Sequence, residues 1–229
     1  MMSQRYNKSL KKQSSQFIFF HINTHHPIFI TTIHSKYLHK RTKQSNFAMQ
    51  SKRESNMAIT NKELESVHGE EDVQAIYQEV RLRNDFIGFT QQFMCDEDGH
   101  VARNAFWTLT KATDKELAQL QVMLNELIDL SMQTDNSSVR RLSLNIVERL
   151  KMSEQDPRAD FLDFCLDRMT HVEEFPGTQT LCMKLAFRMC KFYPELMDEF
   201  MRIIETMDMD FYKPAIKSLR NRILSGKIR

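Results

Sequence analysis

Asp96-Glu97-Asp98-Gly99-His100-Val101-Ala102-Arg103-Asn104-Ala105 is the stretch on which the reading of this chain turns. An acidic turn runs into Gly99, and Val, Arg and Ala then open a helix. Asp135-Asn136-Ser137-Ser138-Val139-Arg140 repeats the order of turn residue, Val and Arg. Two such openings in one chain point to a structural unit used more than once.

Working outward, Asn84, Gly99, Thr113, Asp135, Asp156-Pro157, Gly177-Thr178, Pro194 and Asp208-Met209-Asp210 punctuate a series of helices. Thr113 with Glu116 is a capping box. Asp156 is placed to cap while Pro157 takes the first helical position, where no N–H is needed, and Pro194 is a second first-turn proline. Between these points the apolar residues keep a helical period. Leu117, Leu120, Leu124, Leu127 and Ile128 mark one helix, and Val139, Leu142, Ile146 and Leu150 the next. No stretch alternates as a half-buried strand would. The helices pair, a first (A) with a second (B), and each B helix has a small or thiol residue at a matching place: Ala105, Ser143, Cys182 and Ala215. The intervals are 38, 39 and 33 residues. A helical hairpin cannot bury its apolar face alone and must stack on neighbours, so this spacing predicts a solenoid.

The Asp96–Ala105 and Asp135–Arg140 segments resemble the HEAT signature. Thr178-Gln179-Thr180 and Phe211-Tyr212-Lys213-Pro214 depart from it, lacking Val-Arg, so the likeness over about 85–225 rests on the first two units. The resemblance implies an all-α, right-handed α-α superhelix: a short HEAT/armadillo-like solenoid of about four helix pairs. It also implies a binding scaffold, with the B helices lining the concave side.

Composition divides the chain. Residues 1–56 carry ten Lys/Arg and one acid, a sum of +9, which leaves −7 for residues 57–229. We expect a basic tail over 1–56, poorly ordered or the product of a mis-assigned start, because Met57-Ala58-Ile59 stands where the composition turns Glu-rich. The repeat domain is then 57–229. The apolar run 17–33 is interrupted by His21, Asn23, His25, His26 and Pro27, too short and polar for a membrane span of ~20 apolar residues. No membrane association is expected. Five scattered glycines exclude glycine-rich nucleotide loops. Cys95, Cys165, Cys182 and Cys190 have no CxxC spacing and read as reduced core thiols of a cytoplasmic protein. No cofactor or metal site is expected. No paired carboxylates and no Ser/His/Asp grouping appear, and His68, His100 and His171 fall singly, so no catalytic residue is assigned.

The two kinds of helix differ in charge. The A helices at about 114–132, 156–170 and 194–208 hold 13 acids and 4 bases. The B helices at about 99–112, 137–152, 178–192 and 211–225 hold 13 bases and one acid, Glu148. Two residues past the small core position is about 200° round the helix and faces away from the A helix. Those places hold Trp107, Asn145, Lys184 and Lys217. One turn earlier stand Arg103, Arg141, Thr180 and Lys213, and one turn later Lys111, Arg149, Arg188 and Asn221. Solvation alone accounts for charged faces, but it mixes the signs. The candidate partner-binding residues are therefore Arg103, Trp107, Lys111, Arg141, Asn145, Arg149, Lys184, Arg188, Lys213 and Lys217. They would hold an acidic protein or peptide segment. The alternative partner is nucleic acid, since alkylpurine DNA glycosylases are also built from HEAT-like repeats. Against it stand the single Trp, the lack of an acid beside it, and the net charge of −7.

Overall fold

The computed structural model describes residues 59–154 and 158–228, and the described residues contain helices and no strand. Expectations for residues 1–56, for the start at Met57 and for Asp156-Pro157 lie outside the described residues.

A short α1 (Asn61–Glu65) opens with a capping box between Thr60 and Glu63. The longer α2 (Glu70–Arg83) follows. Its first turn carries Glu70, Glu71 and Asp72, where carboxylates favour the orphan N–H groups. Asn84 stops it in the left-handed conformation at φ 51, which Asn tolerates. Both helices pack on α4, the first B helix, ahead of the pairs that the spacing predicts.

The first pair is α3 (Phe86–Phe93) with α4 (Gly99–Leu109), whose N-cap is Asp98 accepting from the His100 N–H. In the second pair the A element is not one helix. It comprises α5 (Asp114–Leu117), a 3₁₀ turn (Ala118–Met123) and α6 (Leu124–Gln133). Leu117, Leu120 and Met123 recur every third residue and are all buried. Three residues per turn is the 3₁₀ period, and that spacing puts the three side chains on one line. The Thr113–Glu116 capping box is present. The B helix α7 (Ser137–Arg149) is capped by Asn136, whose Oδ1 accepts from Ser138 and Val139.

The third pair is α8 (Ala159–Thr170) with α9 (Pro176–Cys190), and the fourth is α10 (Pro194–Thr206) with α11 (Pro214–Leu224). Pro176, Pro194 and Pro214 each take a first helical position. A 3₁₀ turn, Met209–Phe211, precedes the last helix. Successive B helices pack on one another (α4 on α7, α7 on α9, α9 on α11), so one apolar core runs through the stack.

The register is set by small residues. Ala105, Ser143 and Cys182 are each the seventh residue of their helix, and all are buried. Ser143 Oγ lies 2.8 Å from Ser131 Oγ of the paired A helix, and Cys182 is fully buried where α9 packs on α8. The expectation for Ala215 is corrected: it is exposed. It is only the second residue of α11, and Ile216, Leu219 and Ile223 turn inward instead. The seventh residue is Arg220, 38 positions after Cys182. Its guanidinium reaches the Ile204 and Glu205 carbonyls near the end of α10.

Candidate functional site

Counted from each helix start, the fifth and ninth residues of the B helices point away from the A layer. The fifth places hold Arg103, Arg141, Thr180 and Ser218, and the ninth hold Trp107, Asn145, Lys184 and Arg222. Every one is exposed or half-buried, while the third, sixth and tenth places are buried in all four helices. Four of the eight are Lys or Arg, and none is acidic. Arg222 was not found from sequence, because the small-residue rule settled on Ala215 and slipped the fourth register by five. Lys217 is half-buried in the fourth place, the same place as Arg140 and Gln179. Lys213 is the exposed N-cap residue of α11.

Local contacts fix how these side chains stand. Arg103 donates from Nε and Nη2 to the Asn104 side-chain oxygen at 3.0 and 2.8 Å. Asn104 is buried and passes its own amide N–H to the Leu64 carbonyl, 2.7 Å away. The ring of Trp107 rests partly on the core, with Lys111 Nζ 5.9 Å from its centroid. Arg141 is exposed and its stem lies across Gly177. A Cβ on that glycine would come 2.8 Å from Arg141 Cδ, so a side chain there displaces the arginine. Lys184 Nζ is 3.7 Å from Glu148, the one acid on the B helices by the sequence count. That pair leaves Lys184 nearly half exposed, where it gains little from the contact.

The remaining three candidates, Lys111, Arg149 and Arg188, turn back along the stack. Lys111 meets Glu70, in the first turn of α2, at 2.6 Å. This lysine and Gln74 hold the Glu70 carboxyl below its ordinary pKa. Arg149 donates to the Thr110 and Ala112 carbonyls at 3.4 and 2.5 Å and pairs with Asp114 at 2.7 Å. Arg188 donates to the Glu148 carbonyl and, at 2.7 Å, to that of Leu150. The arginines thus satisfy orphan carbonyls at the ends of α4 and α7, where a cation also suits the helix dipole. A register position alone does not distinguish this role from partner binding.

A polar clasp sits at the turn between α8 and α9. Glu174, buried, lies 3.2 Å from Arg168 Nη1 and 4.0 Å from Arg140 Nη1, and its other oxygen accepts from the Phe175 N–H at 3.0 Å. It joins the second B helix to the third pair. Burial keeps two interior thiols neutral, pushing Cys165 well up and raising Cys190 to about 11. Among the described residues no group of three or more His, Cys, Asp or Glu is placed to hold a metal ion, and no helix is long and apolar enough to cross a membrane.

Neither a curated protein nor a solved structure matches the chain. A family model described as a HEAT repeat domain matches residues 60–227, spanning all four pairs and the two helices ahead of them. Members of that family are commonly protein-interaction scaffolds and typically non-catalytic. With paired helices, B-on-B stacking and this match, the chain belongs to the HEAT repeat family.

Proposed function

We propose that this protein is a non-catalytic scaffold that holds an acidic protein or peptide segment across the outward face of its B helices. The observation that carries the reading is the sign of that face. Arg103, Arg141, Lys184 and Arg222 occupy four of its eight places, with Trp107 and Asn145 beside them and no acid among the eight. The acids of the body are concentrated in the A helices instead. A row of like charges with apolar backing concentrates the field and attracts an oppositely charged segment. Lys111, Arg149 and Arg188 belong to this reading as supports that fix the spacing between helices. Lys213 and Lys217 flank the face at its C-terminal end.

The test compares the full chain with the variant R141E/K184E/R222E, using a fluorescein-labelled Glu/Asp-rich peptide and a nuclease-treated capture from lysate. Residues 1–56 are themselves basic, so the variant is the control for the face. The variant should bind the peptide more slowly and lose the salt dependence of the parent, because exposed charges act mainly through encounter. Equal binding by parent and variant at low salt overturns the proposal. Capture of material that nuclease removes, with no protein retained, replaces it with nucleic-acid binding.

A further inference from the structure

The three A elements that carry the body's excess of acids do not close on one another as the B helices do. α9 packs on both α8 and α10, whereas α8 and α10 share no comparable contact. They leave a recess of about 130 Å³ in the A layer. Leu124, Leu162, Phe192 and Leu196 wall it and stay half-buried, over a floor of buried Ile128 and Phe161. These residues come from α6, α8, α10 and the turn before α10, so the recess spans the second, third and fourth pairs.

Polar contacts hold its mouth. Arg158 Nη2 reaches Asp129 at 2.6 Å and Asp160 at 2.8 Å, and its Nη1 donates to the Asn125 side-chain oxygen at 3.2 Å. The Tyr193 hydroxyl donates to the Glu154 carbonyl at 3.1 Å, which joins the α9–α10 turn to the chain leading toward α8. Apolar walls on a braced frame bind without a large ordering cost. A space of roughly 150 Å³ accepts a benzene ring, so one branched aliphatic or aromatic side chain suits this one.

The rim is acidic. Arg158 is the cation of the lining, and two carboxylates already hold it. Lys151, exposed on the same connection, is offset by exposed Glu154, and Lys191 lies over the Phe187 ring, 4.7 Å from its centroid. One turn beyond Ala159 and Leu196 of the lining, on the same helix faces, stand Asp163 and Glu199. Both are exposed, and neither is paired with a cation among the described residues. Burial, then Asp160 and Glu199, raise the Asp163 carboxyl above its ordinary pKa, so these acids crowd one another. We infer that the recess takes one large apolar side chain of a basic partner segment, whose flanking Lys or Arg residues meet Asp163 and Glu199. An acidic segment would add to the repulsion at this rim. The surface belongs to the A layer, so it stands or falls apart from the face of the B helices.

The experiment uses the full chain and two fluorescein-labelled Lys/Arg-rich peptides that differ only at the centre, Phe or Ala, read by fluorescence anisotropy. The parent should prefer the Phe peptide by at least about tenfold, the worth of one buried apolar side chain. Ala159 is exposed at the start of α8 and lines the recess, so A159W fills the space without disturbing the core. That variant should abolish the preference and leave the Ala peptide unchanged. L196S removes a wall and should lower the preference. D163K/E199K should weaken both peptides and keep their ratio. The same Phe and Ala pair in a Glu/Asp-rich peptide should give a ratio near one. A ratio near one for the basic pair in the parent, or one unaffected by A159W and L196S, overturns the inference. So does a D163K/E199K protein that binds as the parent does, or a preference for Phe equally strong in the acidic pair. Binding of neither basic peptide overturns it as well. If sedimentation velocity gives a dimer that A159W dissolves, a second copy covers the recess, and the inference is overturned.

Discussion

Ser131 and Ser143 share a 2.8 Å hydrogen bond across the second helix pair, and both side chains are fully buried. Each hydroxyl also lies within reach of a backbone acceptor, Ser131 of the Leu127 carbonyl at 2.7 Å and Ser143 of that of Arg140 at 3.0 Å, so two protons serve three contacts. Ser143→Ala should therefore cost only about 1 kcal/mol, the net worth of a hydrogen bond whose other partner stays satisfied. Ser143→Leu must force four-carbon bulk between two close helices and should cost about 3 kcal/mol. Urea unfolding of the two variants checks the order. Equal losses would show that the helices are not held together by smallness at this place.

Arg149 and Asp114 form an ion pair, but their substitutions should not be equivalent. Asp114 is mostly exposed and Arg149→Ala also strands the Thr110 and Ala112 carbonyls. Arg149→Ala should cost about 2 kcal/mol, whereas Asp114→Ala should cost under about 1 kcal/mol. Chemical denaturation of each single variant measures the difference. The comparison separates helix capping from surface charge pairing.

Glu174 faces two arginines from inside the protein, with its side chain 5% exposed. Replacing it by Ala leaves Arg140 and Arg168 short of their carboxylate and should cost about 3 kcal/mol. Glu174→Gln keeps an acceptor for the Phe175 N–H and should lie between. Thermal unfolding of both variants tests this, and a neutral Glu174→Ala would show that the clasp contributes nothing.

The buried thiols give the protein an alkaline limit. Cys190 is raised from 9.0 to about 11 and Cys165 well above 9.0, chiefly by burial. Between about pH 9 and 11 the unfolded chain has lost protons that the folded chain keeps, so stability falls as pH rises through that window. Below pH 9 these two groups contribute no pH dependence. Cys190→Ala should flatten part of the slope between pH 9 and 11. In the native protein, alkylation at pH 8 should label exposed Cys95 well ahead of Cys165, Cys182 and Cys190.

The sequence made the pairing of helices legible because caps and apolar period agree in the first two units, at Asp98, Thr113 and Asn136, and the buried small residue extends the register to the third. Thr113 with Glu116, Pro194 and the buried Ala105, Ser143 and Cys182 all follow from local chemistry. The fourth register was not legible. Ala215 satisfied a search for a small residue, while the helix itself starts at Pro214 and places Arg220 at the seventh position. Nor was the break of the second A element, since its residues are good helix formers and only the three-residue spacing of Leu117, Leu120 and Met123 marks it. On the candidate face, charge and register found Arg103, Trp107, Arg141, Asn145 and Lys184. They could not separate Lys111, Arg149 and Arg188, because a cation that finishes a neighbouring helix looks in sequence like one that awaits a ligand.

Those finishing contacts give the stack a direction. Arg149 closes the end of α4 from the next unit, and Arg188 closes the end of α7 in the same way. The corresponding place after α11 begins is Gly226, which has no side chain to reach back to α9. Each unit is thus completed by its successor, and the series stops one step before its end. Opening at the C-terminal pair removes nothing that α4 or α7 depends on, whereas loss of α9 uncaps α7. Unravelling should therefore proceed from the C-terminal end as a ratchet, with amide exchange fastest in α11 and α10 and slowest around α7.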